Sequence, residues 1–256
     1  MTPLLETRGL SKTFGGLKAV QEVCLRVETN RIVSVIGPNG AGKTTFFNCL
    51  SGIYRPDGGA ILLEGRDITG RPPHQVCKLG MARTFQNIRL FPEMSVLENV
   101  LVAQFQHRSI SPLPLLLRSN RFCDQEKLSR EEALGFLDFV GLAKHADQVS
   151  SSLPYGSQRR LEIARALATK PRLLLLDEPA AGMNPQEAVE MVQLISRIRE
   201  RGLAILLIEH HMKVVMTISD EILVLDHGVS IAHGAPEKVR NDPQVIKAYL
   251  GEEITE

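Results

Sequence analysis

Tryptophan is absent from this sequence, and cysteine is rare, with four residues among 256 (Cys24, Cys49, Cys77 and Cys123). No two of them form a Cys-x-x-Cys pair, and they do not form the paired cysteine and histidine pattern of a zinc site. The pattern therefore indicates neither a disulfide framework nor a cysteine-based metal site. We expect reduced, buried thiols, as in a protein of a reducing cytoplasm.

The sequence also lacks long apolar runs and a large excess of basic or acidic residues. The longest apolar runs, such as Leu203–Ile208, are far shorter than the roughly 18 residues that cross a bilayer, so no membrane channel is predicted. The opening residues MTPLLETRGLSKTF lack the pattern of a secretory signal. The 30 basic and 29 acidic residues leave a formal net charge of +1, and we expect no nucleic-acid partner.

What the sequence does contain is a set of short apolar stretches, at Arg31–Ile36, Leu173–Asp177 and Ala204–Ile208. Such stretches predict strands that are covered on both faces, and thus an α/β fold with a parallel sheet. Helical patterns lie between them, at Thr44–Leu50, Gln158–Ala168 and Gln186–Arg199. The chain is long enough to bury a full core without disulfides.

The C-terminal part has a different pattern. Glu221–Asp226 and Val229–Ala232 flank His227-Gly228 and predict a hairpin. One helix is predicted to follow over Pro236–Leu250.

The middle of the chain, from Ser95 to Gly141, shows helical periodicity and predicts no strand. A turn at Ser111-Pro112-Leu113-Pro114 interrupts it. We interpret this part as a helical subdomain inserted into the α/β core.

A glycine-rich loop follows the first predicted strand. Its sequence fits the GxxxxGK[ST] pattern, and it precedes a predicted helix, as a phosphate-binding loop requires. Glycines let backbone N–H groups surround a β-phosphate, Lys43 supplies charge to the β/γ oxygens, and Thr44 offers its hydroxyl to Mg²⁺. An ordinary glycine-rich turn is the alternative. The candidate nucleotide-binding residues of the loop are Gly37, Pro38, Asn39, Gly40, Ala41, Gly42, Lys43, Thr44 and Thr45.

Two adjacent acids, Asp177 and Glu178, end a predicted strand, where α/β sheets hold their ligands. We expect Asp177 to support Mg²⁺ through water and Glu178 to polarise the water that attacks a γ-phosphate. Capping of the next helix is the alternative role for these acids. His210 follows another predicted strand and is a candidate γ-phosphate sensor, although a lone histidine at a strand end is more often structural.

The segment Leu153–Pro179, LPYGSQRRLEIARALATKPRLLLLDEP, joins a glycine turn, a basic helix and this acid-tipped strand. With the phosphate loop, it makes the chain resemble the ATP-binding subunits of ABC transporters over almost its full length. The resemblance implies a P-loop NTPase fold, with ATP and Mg²⁺ as cofactors. It implies a RecA-like core with an antiparallel β subdomain at residues 1–86 and 165–256, and an inserted helical signature subdomain at residues 87–164.

The resemblance also implies roles for single residues. Phe14 would stack on adenine, Gln86 would link Mg²⁺ to the helical subdomain, and Ala180–Pro185 would cross to a second ATPase subunit, identical or homologous. Phe14 as a core residue and Gln86 as a surface residue remain alternatives. The signature turn would close over the partner's nucleotide through Leu153, Tyr155, Gly156, Ser157 and Gln158.

Longer stretches, including ARTFQNIRLFPEMSVLENVLVAQ and LLIEHHMKVVM, narrow the resemblance to importers of branched-chain amino acids. This implies a peripheral position at the cytoplasmic face of the inner membrane. The implied partners are integral-membrane permease subunits and, indirectly, an extracytoplasmic amino-acid-binding protein. We expect the permease to contact Gln86–Leu101, with anchors at Arg89, Leu90, Phe91 and Pro92.

Other functions remain open. ATPases of related ABC systems, for urea or amide import or for lipopolysaccharide export, would share the core motifs. A soluble ABC ATPase that acts on nucleic acid would have two cassettes or a long coiled coil, and this chain has one cassette and no heptad run. A P-loop kinase would leave the Leu153 segment and His210 unexplained.

Three positions depart from the family pattern. Pro154 replaces the serine of the usual LSGGQ signature, which removes a hydroxyl expected against the γ-phosphate; we expect a weakened contact and slower hydrolysis at that site. Asn184 stands where aspartate is common in the family. His211 stands where these importers usually have aspartate, and we expect it to be a solvated surface residue.

Overall fold

The computed structural model describes residues 2–105 and 120–250, without the side chains of residues 120–123 and 250. The turn predicted at residues 111–114 lies outside the described residues. The strands are β1 (Leu5–Phe14), β2 (Leu17–Val27), β3 (Ile32–Ile36), β4 (Gly58–Leu63), β5 (Arg66–Asp67), β6 (Met81–Arg83), β7 (Leu173–Asp177), β8 (Ala204–Ile208), β9 (Glu221–Asp226) and β10 (Val229–Gly234). The α-helices are α1 (Lys43–Leu50), α2 (Pro73–Lys78), α3 (Val96–Gln104), α4 (Asn120–Phe139), α5 (Tyr155–Ala168), α6 (Pro185–Glu200), α7 (Met212–Ile218), α8 (Pro236–Arg240) and α9 (Pro243–Leu250).

The larger sheet has six strands in the order β10-β9-β3-β8-β7-β6. All neighbours pair in parallel except β10, which forms an antiparallel hairpin with β9. Every residue of β3, β7 and β8 is buried, which explains why these strands are apolar except for Ser34 and Asp177. The three apolar strands and the hairpin predicted from the sequence are confirmed.

The smaller sheet is antiparallel, in the order β2-β1-β4-β5. It is joined to the larger sheet beside the β9–β10 turn, where the N–H of Gln21 donates to the carbonyl of Gly228 at 2.8 Å. This junction brings the end of β1 close to the loop between β3 and α1.

Helices α3, α4 and α5 pack on one another and on the larger sheet through one continuous apolar cluster. Val96, Val100, Leu137 and Leu161 are fully buried in it, and each such side chain contributes about 1.5–3 kcal/mol by leaving water. The helical prediction for the middle of the chain is confirmed for the described residues. The expected boundary between the helical subdomain and the core, at residues 164 and 165, lies within helix α5. The division into these two subdomains stays a prediction.

The predicted C-terminal helix is wrong in one respect, because it is two helices, α8 and α9. Pro243 begins the second, and its ring disfavours a helical conformation for the residue before it. The carboxylate of Asp242 accepts the N–H of Gln244 at 2.8 Å and starts the new helix.

The expectation of buried thiols is also wrong for Cys24, which is exposed on β2. Cys49 is buried, and burial raises the pKa of its thiol to about 11. Cys77 is half-buried. The outward position of Cys24 follows from strand alternation, since its neighbours Val23 and Leu25 face the core.

Candidate functional site

The loop between β3 and α1 requires glycine at defined positions. Gly40 and Gly42 have φ angles of 77° and 98°. A Cβ on Gly42 would lie 2.2 Å from the carbonyl oxygen of Ala19, and one on Gly37 would lie 2.0 Å from that of Leu225. Any residue with a Cβ is thus excluded at Gly37 and Gly42 by neighbouring backbone. This requirement for glycine favours the phosphate-loop interpretation over an incidental turn.

Lys43 begins α1 and folds back over this loop. Its ammonium donates to the carbonyl oxygens of Gly37 at 2.6 Å and Pro38 at 2.7 Å. The positive charge therefore stands at the mouth of the loop, next to the N-terminus of α1. Both features attract phosphate oxygens.

A cavity of about 440 Å³ opens over the loop. Residues Asn39–Thr45 line it together with Phe14, Gln86 and Glu178, which come from three other segments of the chain. Phe14 is 42% exposed and meets Tyr54 edge-on at 5.2 Å between ring centroids, so it is not a core residue. Its open face can stack on a flat ring.

Glu178 lies close to the two other catalytic candidates, Gln86 and His210. Its Oε2 accepts a hydrogen bond from Gln86 Nε2 at 3.1 Å, and its Oε1 lies 3.7 Å from His210 Nδ1. Its φ of 48° is unusual for a non-glycine residue. Such a conformation costs about 1–3 kcal/mol.

Asp177 is buried below the cavity and is paired with Arg83. Arg83 Nη2 donates to Asp177 Oδ2 at 2.8 Å, and the two side chains are 6% and 3% exposed. The same guanidinium binds Asn48 at 2.7 Å and Ser51 at 2.9 Å, both on or beside α1. Burial lowers the pKa of Arg83, and Asp177 opposes this effect. Sequence reasoning missed Arg83, although an arginine within a buried strand is a signal that it has an anionic partner.

The donors expected around Mg²⁺ are a hydroxyl, an amide oxygen and a carboxylate, from Thr44, Gln86 and Asp177. These hard oxygen atoms are the kind that Mg²⁺ selects. Thr44 and Gln86 line the cavity, whereas Asp177 is 2% exposed and lies outside its lining. Thr44 and Gln86 fit the ion, whereas the carboxylate of Asp177 is paired with Arg83 and could act on the ion only indirectly.

The signature segment forms the start of α5, three residues earlier than predicted. Pro154 is the residue before the helix and makes no side-chain capping bond. Gln158 Nε2 donates back to the carbonyl of Leu153 at 2.9 Å, and Tyr155 is 45% exposed. The signature residues Leu153, Tyr155, Gly156, Ser157 and Gln158 do not line the cavity described above.

Helix α5 also holds the segment that carries Gln86, a link that sequence reasoning did not find. Arg159 donates to the carbonyl oxygens of Phe85 and Gln86, and it pairs with Glu162 at 3.3 Å. Glu162 accepts the N–H groups of Phe85 at 3.2 Å and Arg89 at 3.3 Å. Burial raises the pKa of Glu162, while the nearby Arg159 lowers it. These bonds connect the signature helix directly to the Gln86 segment.

Comparison with known proteins decides the family. A family model described as "ABC transporter" matches residues 20–181, which is more than half of the chain. The chain belongs to the ABC transporter ATP-binding family. This ABC ATPase binds and hydrolyses ATP, and its α/β P-loop fold is as the sequence predicted.

Individual relatives agree. BraF of Pseudomonas aeruginosa and LivG of Escherichia coli K12, both named as high-affinity branched-chain amino acid transport ATP-binding proteins, are 51% identical over 98% of each chain. The lipopolysaccharide export protein LptB of Acidithiobacillus ferridurans is 36% identical over 99% of each chain. A second family model, "Branched-chain amino acid ATP-binding cassette transporter", matches residues 231–255.

Solved structures show the same relation. The ADP conformation of MJ1267, an ATP-binding cassette of an ABC transporter, is 32% identical with a TM-score of 0.85, covering 98% of this chain and 100% of that one. Within the described residues, no helix combines the length and the apolar character needed to span a membrane.

Proposed function

We propose that this ABC ATPase powers the import of branched-chain amino acids through separate integral-membrane permease subunits, at the cytoplasmic face of the inner membrane. The cargo assignment is carried by the 51% identity to BraF and LivG over 98% of each chain, against 36% to LptB. The match to the branched-chain model at residues 231–255 supports it independently of the ATPase motifs. An extracytoplasmic binding protein would deliver the amino acid to the permease.

The cavity supports one catalytic arrangement. ATP lies with its adenine on Phe14 and its phosphates in the loop from Gly37 to Thr45. Glu178 takes a proton from the attacking water, because its carboxylate is oriented by Gln86. His210 turns from Glu178 to the γ-phosphate. Bound Mg²⁺, held by Thr44 and Gln86 with Asp177 behind it, would neutralise charge on the β/γ oxygens.

Each of two such subunits supplies part of the other's nucleotide site. The signature residues Leu153–Gln158 are outside the chain's own cavity and present the N-terminus of α5, a site that favours anions. We infer that they close over ATP held by a second ATPase subunit, with Ala180–Pro185 at the same interface. The link from Arg159 to Gln86 then connects the two nucleotide sites.

The permease contact is proposed at a groove of about 470 Å³ that is lined by α2, β6, the segment after β6, α3 and α5. Within the predicted contact range 86–101, only Arg89 lines this groove, while Leu90, Phe91 and Pro92 lie outside its lining. Phe85 and Arg165 line it, and Arg89 is exposed at its rim. Phe91 is 43% exposed and is covered on one side by the guanidinium of Arg165 at 4.9 Å. An apolar floor with basic anchors suits a short helix from a membrane protein.

Transport by the reconstituted complex tests this function. The chain should co-purify from membranes with permease subunits, and proteoliposomes containing that complex should take up labelled leucine in an ATP-dependent manner. Labelled urea should not be taken up under the same conditions. Co-purification with lipopolysaccharide-export permeases, or ATP-driven uptake of urea without leucine, would contradict the cargo assignment.

Removal of the Phe14 ring should weaken nucleotide binding. Stacking of a base on an aromatic side chain contributes about 1–3 kcal/mol, so Phe14→Ala should raise the Kd for ATP by about 5- to 150-fold. Phe91→Ala is the matched control, because that ring is equally exposed, 43% against 42%, but lies outside the cavity. Titration of the purified chain with a fluorescent ATP analogue measures both, and equal affinities would contradict the role of Phe14.

Restoration of the signature hydroxyl should speed hydrolysis. A hydrogen bond to a charged group is worth about 1.5–3 kcal/mol, and Pro154→Ser adds a donor at the residue that precedes α5. We expect ATPase activity of the reconstituted transporter to rise at least several-fold, with about 10- to 150-fold as the limit if the full hydrogen bond acts on the transition state. Pro154→Ala separates the two causes, since it removes the ring without adding a hydroxyl. Unchanged turnover in the serine variant would exclude the idea that Pro154 slows the site.

A further inference from the structure

Three consecutive residues after β8, Glu209, His210 and His211, form a side-chain cluster of which the proposed catalytic arrangement uses only His210. None of the three lines the nucleotide cavity. Glu209 is completely buried, at 0% exposure. Its Oε2 accepts the N–H of His210 at 2.9 Å, while its Oε1 has no hydrogen-bond partner. A buried carboxylate with an unpaired oxygen is costly, and a cation bound to the carboxylate would offset part of that cost by neutralising its charge.

The two imidazoles face this carboxylate. His210 Nδ1 and His211 Nδ1 lie 3.7 and 3.8 Å from Glu209 Oε2. One ligand atom from each of the three residues can be chosen so that all three lie within 4.8 Å of one another. A tetrahedral zinc ion, with bonds of about 2.0–2.1 Å, holds its ligand atoms about 3.3–3.4 Å apart. The two nitrogen–oxygen distances exceed this spacing by a few tenths of an ångström. The ligand atoms of His210 and His211, which lie within 4.8 Å of each other, would have to approach by up to about 1.5 Å, which rotation of two half-exposed side chains can supply.

We propose that Glu209, His210 and His211 bind a zinc-class divalent ion in the nucleotide-free subunit. Two imidazole nitrogens and one carboxylate are a ligand set that zinc uses where it keeps an open fourth position for water. Imidazole ligands select such ions over Mg²⁺ and Ca²⁺. The half-exposed His210 and His211, at 50% and 54%, leave a path for the ion, and the buried Glu209 anchors it.

The consequence for turnover rests on the proposed function, in which His210 contacts the γ-phosphate. An ion at this cluster would hold His210 on Glu209 and away from the nucleotide. Zinc should therefore inhibit hydrolysis, and the inhibition should depend on His211, a residue that the proposed catalytic arrangement does not use. Binding of the ion itself does not depend on that function.

The test uses the full chain without nucleotide. Competition with a chromophoric chelator should show one tightly bound Zn²⁺ per chain, and Co²⁺ should give the visible absorption of a tetrahedral nitrogen and oxygen site. His211→Ala should weaken zinc binding by about 10- to 100-fold or more. His74→Ala is the control, because His74 is exposed on α2, and it should leave the affinity unchanged.

Two results would overturn the proposal. One is zinc affinity that is the same in His211→Ala and the unmodified chain. The other is a Co²⁺ spectrum with thiolate charge-transfer bands that disappear in Cys24→Ser, which would place the ion on the exposed Cys24. His211→Ala removes a half-exposed side chain, so the test does not depend on a variant of the buried Glu209.

Discussion

Glu178→Gln should lower steady-state ATP hydrolysis by about 10²- to 10⁴-fold, the range expected for loss of a general base. The amide has nearly the shape of the carboxylate, and its oxygen can still accept the hydrogen bond from Gln86. It cannot take a proton from the attacking water. ATP binding should therefore survive, and the variant should accumulate as a closed, ATP-bound dimer.

Phosphate release measures the rate, and size-exclusion chromatography with ATP measures the dimer. Glu190→Gln is the matched control, because Glu190 lies on α6 and pairs with Arg160 outside the cavity. That variant should hydrolyse ATP at the normal rate. Sustained turnover by Glu178→Gln would show that another group activates the water.

The strands of the larger sheet could be predicted because their burial is uniform. β3, β7 and β8 are covered on both faces, so their apolar stretches begin and end with the strands. The smaller sheet gave no such signal. β1 is irregular against both its neighbours, which shifts the register around Thr7, Leu10 and Ser11, and this removes the alternation by which a strand is recognised. The antiparallel subdomain was therefore expected only from the family resemblance.

The site divides in the same way. The phosphate loop and the two acids could be predicted because each is a short contiguous segment. The loop follows from its glycine pattern, and the acids follow from their place at the end of a strand. The contacts that position them are remote in sequence, and no spacing rule predicts them. Arg83 and Asp177 are 94 positions apart, and Arg159 reaches the carbonyl of Gln86 across 73 positions. Both pairs form only when β6 lies beside β7 and α5 packs over them.

Arg83→Met should destabilise the fold by about 3–5 kcal/mol, because it leaves the charge of Asp177 buried without its partner. This is a large part of the roughly 5–15 kcal/mol that stabilises a typical protein. Asn48 and Ser51 would lose their hydrogen bonds to the guanidinium as well. Urea unfolding followed by circular dichroism measures the loss.

The matched control is Arg31→Met, which breaks an ion pair to Asp220 at a similar distance, 3.1 Å, but with an arginine side chain that is 57% exposed. Exposed pairs contribute about 0–1 kcal/mol, so this variant should unfold almost normally. The double variant Arg83→Met with Asp177→Leu should recover most of the lost stability, because no buried charge remains, but it should not regain ATPase activity. A loss below about 1 kcal/mol in Arg83→Met would mean that water, and not Arg83, compensates the charge of Asp177.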